Sequence, residues 1–414
     1  MFRGSYRLLD KIVNNEPKCL ELRHLELSLV LSFHTEAKIF NDFNSMKKTK
    51  DTTLVETLTQ LLKQNLPTVH RARLAGVAVF VLSLISEATV NLQKLSLSGI
   101  ATVKPDSVFK RFSRLLFWLA AAKIDFGHLV LKLTHRLEGN DLLLCMDRTN
   151  WKYGKRHINF LVVSLYIEGV GYPIAWRLLP EATKRGNSNT SHRIQILKKV
   201  LKLLKPSQIK CLLMDKEFIG QEWLQWLDRK QIVYIVRVKD NALVNGHLRV
   251  KKYRKSLPGK KLKNRRVNIY GQKVYLSWKR ITGKNARSEY LFTISNQFQS
   301  QTMLDLYADR WSIEQMFSHW KKRGFDFEAT HLSHPKRLTG LMSLIALAYL
   351  IAHQWGLWLN KRRTIKKKSH GYLAKSIFRY GLDNLKHALR TLQAEQNTIT
   401  GMLNLIFNQK SFVQ

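Results

Sequence analysis

The 414-residue chain carries 70 Lys and Arg against 29 Asp and Glu, a formal net charge of +41, with 45 % hydrophobic and 10 % aromatic residues. The apolar content excludes a disordered basic tail, and so large a positive excess strains a compact fold unless a polyanion neutralises part of it. That disfavours an enzyme of small molecules only and points to nucleic acid first, an anionic membrane surface second.

Residues 1–45 contain few periodic segments and read as an N-terminal extension of uncertain role, possessing no feature that fits the rest; Met46 opens a more ordinary beginning, as if the first 45 residues were either an upstream in-frame extension or a helical arm. Residues 46–138 are helical text. Leu54, Leu58, Leu61 and Leu62 recur at helical spacing before Pro67, and a second, strongly apolar helix covers Arg71 to Ala88. A short segment from Asn91 to Leu97 is broken at Ser98-Gly99, and Pro105-Asp106 starts a helix with Lys110, Arg111 and Arg114 on one side. Val108, Phe109, Phe112 and Leu115 supply its apolar stripe. Short helix, tight turn and basic helix give a helix-turn-helix outline, and equally the outline of a bundle whose cations meet phosphate or water.

From Asp141 the period changes to that of strands. Leu142 to Met146 is an apolar run ending in Asp147; His157 to Ile167 and Tyr172 to Leu179 are β-branched and aromatic runs around Gly169-Val-Gly171. A helix from His192 to Lys205 stops at Pro206, and Lys210 to Asp215 repeats the first strand's pattern of four apolar residues and an acid. A helix over Glu222–Arg229 and a strand over Ile232–Val238 complete a β-β-β-α-β-α-β order, a mixed sheet with helices packed on it. Residues 239–288 hold sixteen Lys or Arg against the single acid Asp240, including Lys251, Lys252, Arg254 and Lys255, and Arg265-Arg266. With strand text at Val267–Tyr270, Lys273–Trp278 and Tyr290–Ile294, residues 239–295 read as a β-rich insertion with basic loops.

The segment Tyr307 to Lys321 reads as one helix that gathers Tyr307, Arg310, Glu314 and Lys321 within an arc of roughly 60°. Leu306, Ile313, Met316, Phe317 and Trp320 form its packing face. Leu338 to Leu359 is about long enough to cross a membrane, but His353 and Gln354 interrupt it and no partner span exists, so it reads as a buried core helix. The chain lacks signal-peptide text and its three cysteines, Cys19, Cys145 and Cys211, make no zinc spacing. The expected compartment is the cytoplasm, associated with the nucleoid through DNA. Residues 331–414 form a C-terminal helical region.

Asp147 and Asp215 each end a short buried strand, where an open α/β sheet presents side chains to a crevice. Two neighbouring carboxylates in an apolar setting need a cation, and the hard oxygen-loving ions Mg²⁺ or Mn²⁺ suit them; otherwise each Asp merely caps a turn. Glu314 on the helix could complete a three-carboxylate site with two metal ions, Tyr307, Arg310 and Lys321 then gripping phosphates; the plain alternative is a helical Arg310–Glu314 pair.

Tyr-x₂-Arg-x₃-Glu-x₆-Lys, met here without gaps at Tyr307, Arg310, Glu314 and Lys321, resembles the YREK signature of bacterial insertion-sequence DDE transposases, the IS four family. Asp147 in CMDRTNW and Asp215 in MDKEF resemble that family's two catalytic aspartates, and the likeness runs in order from roughly residue 100 to 360. It implies an α/β fold with an RNase H-like mixed-sheet catalytic core over 139–330, a β-rich insertion, a helical DNA-binding region before it and C-terminal helices after it. It further implies a transposase with Asp147, Asp215 and Glu314 as catalytic metal ligands for two Mg²⁺ or Mn²⁺ ions. DNA contacts would come from Tyr307, Arg310, Lys321, Lys251, Lys252, Arg254 and Lys255. Partners would be the terminal inverted repeats, target DNA and a second copy of the chain in a homodimeric synapse, with no membrane and no small-molecule substrate. Some relatives stack an extruded base on an aromatic of the insertion, for which Trp278 and Tyr290 are candidates; Trp311 reads as packing. Glu217 resembles a motif acid that orients neighbours. His331-x-x-His334 lacks a second pair of ligands and reads as solvated or phosphate-facing. Rival readings are an RNase H-like DNA nuclease without strand transfer, and a non-catalytic DNA-binding regulator derived from a transposase.

Overall fold

The computed structural model describes residues 54–408 apart from 102, 123, 181–187, 257–265, 283–287, 370 and 392–395. The extension expected over 1–45, the start at Met46, Cys19 and Arg265 lie outside the described residues.

Five helices open the described chain: α1 Leu54–Asn65, α2 Arg71–Glu87, α3 Leu92–Ser96, α4 Pro105–Ala121 and α5 Phe126–Leu133. The α1 leucines at 54, 58, 61 and 62 are all buried, and the helix ends before Pro67, whose ring cannot continue it. Pro105 and Asp106 open α4, and its Val108, Phe112 and Leu115 face inward. Phe109, placed by sequence in that stripe, is instead 36 % exposed beside exposed Lys110, Arg111 and Arg114; it sits about 100° round the helix from Val108. Residues 97–104 join α3 to α4. That connection is longer than the three- or four-residue turn of a helix-turn-helix, so the region has the form of a bundle with a basic face.

The sheet follows. Strands β1 Leu142–Tyr153, β2 Arg156–Ile167 and β3 Val170–Leu178 form an antiparallel meander; β4 Ile209–Met214 and β5 Tyr234–Val238 are added in parallel through helices α6 Thr190–Val200 and α7 Gln221–Arg229. The order β3-β2-β1-β4-β5 is the RNase H-like mixed sheet that the resemblance implied. Strand β1 does not end at Asp147 as expected. Beyond it Thr149 and Trp151 are buried while Asn150 and Lys152 are exposed, an alternation that keeps β1 paired with β2 to Tyr153.

The segment expected as a separate β-rich insertion contains a small hairpin, β6 Leu243–Val244 and β7 Leu248–Arg249, then a helix, α8 Val250–Ser256. Its remaining strands, β8 Arg266–Ile269, β9 Gln272–Thr282 and β10 Ser288–Ser295, extend the main sheet to eight strands in the order β5-β10-β9-β8. Lys251, Lys252, Arg254 and Lys255 therefore sit on α8 and not in a loop.

After two short helices, α9 Ser300–Ala308 and α10 Trp311–Trp320, comes the long α11 Pro335–Arg362, followed by α12 Ile377–Thr391 and α13 Gln396–Asn408. The apolar window of α11 is 94 % buried, so it is the core helix expected from His353 and Gln354. It packs against α2, α4, α12 and β3. The α11–α12 crossing needs glycine, since a Cβ on Gly381 would lie 2.0 Å from the Ala352 carbonyl oxygen.

Where α11 packs on β3, the Tyr172 hydroxyl lies 2.6 Å from His353 Nδ1. Burial first, and then His319, lowers the His353 pKa from 6.5 to about 3. The unfolded chain therefore takes up this proton several pH units before the native state does. Its contribution to stability is complete above about pH 6.5 and is lost as pH falls toward 3. Urea unfolding at pH 7 and 4.5 should show lower stability at pH 4.5, and His353→Gln should shrink the difference. An equal difference in the variant would remove His353 as its cause.

Candidate active site

The last rung shared by β1 and β4 pairs Met146 with Met214. Asp147 is the next residue of β1 and Asp215 the residue just past the end of β4, where the two strands run about 4.8 Å apart. Apolar residues upstream on both strands, Leu144, Cys145, Met146, Leu212, Leu213 and Met214, are wholly buried, so the two acids emerge from a dry sheet edge. Burial, the largest cause, raises Asp147 to about 7; Arg310 and the Arg148 backbone N–H, which donates to Oδ1 at 2.7 Å, pull it down, and Glu217 and Asp215 add to the rise.

Odd-numbered side chains of β1 face α10: Cys145 Sγ is 3.8 Å from Ser312 Oγ, and Asp147 meets Arg310. A single helix over 307–321 is not what forms. α9 ends at Ala308, and Asp309 and Arg310 keep helical dihedrals but make i→i−3 bonds, Asp309 N to Leu306 O and Arg310 N to Tyr307 O, both 3.2 Å, before α10 begins. Three residues per turn stack positions i and i+3, which brings the Arg310 guanidinium over the Tyr307 ring at 5.6 Å.

Arg310 is the hub. Nη1 donates to Asp147 Oδ2 at 3.1 Å and Nη2 to Glu314 Oε1, so one guanidinium holds the acid of β1 and the acid of α10. The Tyr307 hydroxyl is buried without a hydrogen-bond partner among the described residues. Lys321 stands farther along: Nζ donates to the Asn150 carbonyl at 3.1 Å and pairs with Glu328 at 2.9 Å. It thus ties the end of α10 to β1, three residues past Asp147.

Glu217 accepts a forked pair of bonds from Arg148, whose Nη1 also reaches Asn159 Oδ1 at 3.1 Å. That agrees with an orienting acid. Sequence reasoning missed Arg193. It is 5 % exposed, and it donates to the carbonyls of Ser188 (2.6 Å), Glu217 (2.7 Å) and Ile219 (3.0 Å). Those bonds pin the loop that follows Asp215. Nothing in the helical pattern around it distinguishes an arginine that points inward.

Asp215 Oδ1 bears on the fit of a divalent cation: it is buried without a hydrogen-bond partner, and Arg237, 4.0 Å away, is too far to supply one. A carboxylate oxygen left dry beside a second carboxylate suits a hard cation. Glu314 is engaged by Arg310. Among the described residues no three acids, His or Cys stand close enough to hold an ion as they are. The donor chemistry of Asp147 and Asp215 suits such an ion, but Arg310 holds both Asp147 and Glu314 in the arrangement seen here.

The aromatic expectations shift in exposure: Trp278 is 7 % exposed and the Arg254 guanidinium covers one face of Tyr290 at 3.9 Å, whereas Trp311, read as packing, is 57 % exposed. His334 caps α11 by accepting from Lys336 N and packs at a tilt against Phe117, and His331 lies edge-on to Tyr153. Lys251, Lys252 and Lys255 are exposed on α8, which packs on the β6–β7 hairpin.

Residues 139–351, slightly more than half of the chain, match the family model described as Transposase DDE domain. No curated protein matches the sequence. Among solved structures the chain is similar to a piggyBac transposase in a synaptic complex with hairpin DNA, at 10 % identity and a TM-score of 0.40, over 90 % of this chain and 85 % of that one.

Proposed function

The chain belongs to the DDE-domain transposases, and from that premise we propose that it excises and inserts an insertion sequence by metal-dependent strand cleavage followed by 3′-hydroxyl strand transfer. The observation that carries this reading is that Arg310 holds Asp147 of β1 and Glu314 of α10 together, while Asp215 follows the last rung that β4 shares with β1, beside Asp147. We read the finer family as the one with the YREK signature. Residues 46–138 and α8 bind DNA, the terminal inverted repeats and the target, and two copies form the synapse. The protein works in the cytoplasm on the nucleoid.

Asp147 and Asp215 would hold Mg²⁺ or Mn²⁺, with Glu314 as third ligand. Two such ions supply nucleophile activation and leaving-group stabilisation for in-line displacement at phosphorus. The remaining work falls to the chain's own side chains. Arg310 exchanges its two carboxylates for two oxygens of the incoming phosphate, a fork geometry that guanidinium satisfies and ammonium does not. That exchange frees Glu314 and Asp147 when DNA is present. Tyr307 offers its unpaired hydroxyl to the same phosphate, Lys321 steadies the α10–β1 contact, and exposed Trp311 presents a ring to a nearby base.

Cleavage of an oligonucleotide carrying the element's own end tests this reading. Mg²⁺ should support both binding and cleavage, Ca²⁺ binding with little cleavage, since Ca²⁺ holds ligands in looser geometry. Arg310→Lys should impair cleavage despite keeping the charge, with Tyr307→Phe costing about 1.5–3 kcal/mol of transition-state stabilisation. Arg310→Lys with normal cleavage would reduce Arg310 to a structural partner of Glu314, and cleavage unaffected by metal chelation would end the two-ion reading. The rival nuclease without strand transfer shares all of these outcomes and is separated by the joining assay described below.

A further inference from the structure

Strand β3 is the edge of the sheet opposite β8. Two adjoining cavities line its outer side and share Trp176, Lys199 and Thr339, making one groove from Lys202 on the α6 side to Arg156 and the start of α11. Lys199, Lys202, Arg177 and Arg156 line it. Among the described residues its lining contains one acid, Asp125, whose carboxylate caps α5 by accepting from His128 N at 3.1 Å.

None of the four cations makes an ion pair among the described residues. Arg177 Nε is buried without a hydrogen-bond partner, and Lys199 Nζ has the Trp176 carbonyl at 3.3 Å. Burial, then Arg177, lowers the Lys199 pKa, with Asp125 offsetting part and Lys202 adding to it. Arg177 and Lys202 act unfavourably on the Lys199 charge and Asp125 offsets only part of this, while the buried, unpartnered Nε of Arg177 adds the cost of a lost hydrogen bond. An anion in the groove removes both penalties.

Its position identifies the anion. Asp147 pairs across the sheet with Val162, and Val162 with Trp176. The groove therefore lies two strand spacings, about 10 Å, from the catalytic acid. Trp176 lines both parts of the groove with the cations along them, and an aromatic with backbone-directed charges is a combination that suits a nucleic-acid strand. The geometry points to this groove as a phosphodiester-binding track for the DNA strand flanking the reacting phosphate, separate from the α8 lysines. This inference rests on the transposase reading, which makes DNA the substrate.

The test uses the full-length chain and the triple variant Arg177→Gln, Lys199→Gln, Lys202→Gln, none of which belongs to the catalytic set. Binding of a duplex carrying the element's end is measured across salt concentrations, beside thermal melting without DNA. Each lost phosphate contact lowers the slope of log K against log salt by about 0.9, so the triple variant should lose about 2–3 from it. Melting without DNA should stay the same or rise, because mutual repulsion is relieved. An unchanged slope, or a fall in melting temperature, would overturn the groove assignment by showing that these cations serve the fold or the solvent. Wild-type protein with no salt-dependent DNA binding would instead overturn the underlying transposase reading, so the two failures are distinguishable.

Discussion

Asp147→Ala, Asp215→Ala and Glu314→Ala should each lower end cleavage by more than about 100-fold, the scale on which even outer-shell partners of a metal site act, while DNA binding survives. Binding survives because the phosphate contacts are carried by cations elsewhere. The three variants should differ in stability in a way the geometry foretells. Asp215→Ala removes a carboxylate with an unpartnered oxygen and should cost the metal-free fold little. Asp147→Ala takes away one of the two carboxylates on Arg310, a guanidinium whose side chain is 11 % exposed, and leaves that cation less compensated. Removing one partner of a buried pair is costly, but burial that raises the Asp147 carboxyl to about 7 makes its charge unfavourable in the fold, so the two effects oppose and Asp147→Ala should lose less stability than its buried pairing alone implies. Near-normal cleavage by any of the three would remove that residue from the site.

The second large effect concerns affinity. Neutralising Lys251, Lys252, Arg254 and Lys255 together should reduce the slope of log K against log salt by about 3. The three lysines are exposed on α8, while Arg254 spends part of its surface on the Tyr290 ring, so Arg254→Gln alone should contribute least. Gel-shift titrations between 50 and 200 mM salt would reveal it. An unchanged slope would mean that α8 never touches DNA.

Much of this molecule is written in local periodicity. The β-β-β-α-β-α-β order, the helices stopped by Pro67 and started by Pro105, and the buried nature of α11 follow from residue spacing, because burial on one face leaves a period of 2 or 3.6 in the text. What escapes is set by tertiary context. β1 continues past Asp147 because Thr149 and Trp151 are polar or bulky residues whose alternation is easily mistaken for a loop. The tight turn at Asp309 and Arg310 escapes because its residues keep helical dihedrals, and only the hydrogen-bond register changes. At the site, the acids were legible as strand ends and helix position, but not that Arg310 would hold two of them at once. Arg193 was silent, since an inward arginine has the same local pattern as a solvated one. Trp311 was misread because an aromatic beside an apolar seat is usually part of it, and here the turn carries it outward.

The central claim is that one site both cuts DNA and joins the freed end. A pre-cleaved oligonucleotide carrying the element's terminal repeat, ending either in a 3′-hydroxyl or in a 3′-deoxy nucleotide, tests it when incubated with protein, Mg²⁺ and a supercoiled plasmid. The account predicts covalent joining to the plasmid with the 3′-hydroxyl end, none with the 3′-deoxy end, and none with Glu314→Ala. Cleavage of uncut ends without any joining of the 3′-hydroxyl end would contradict it and leave a nuclease.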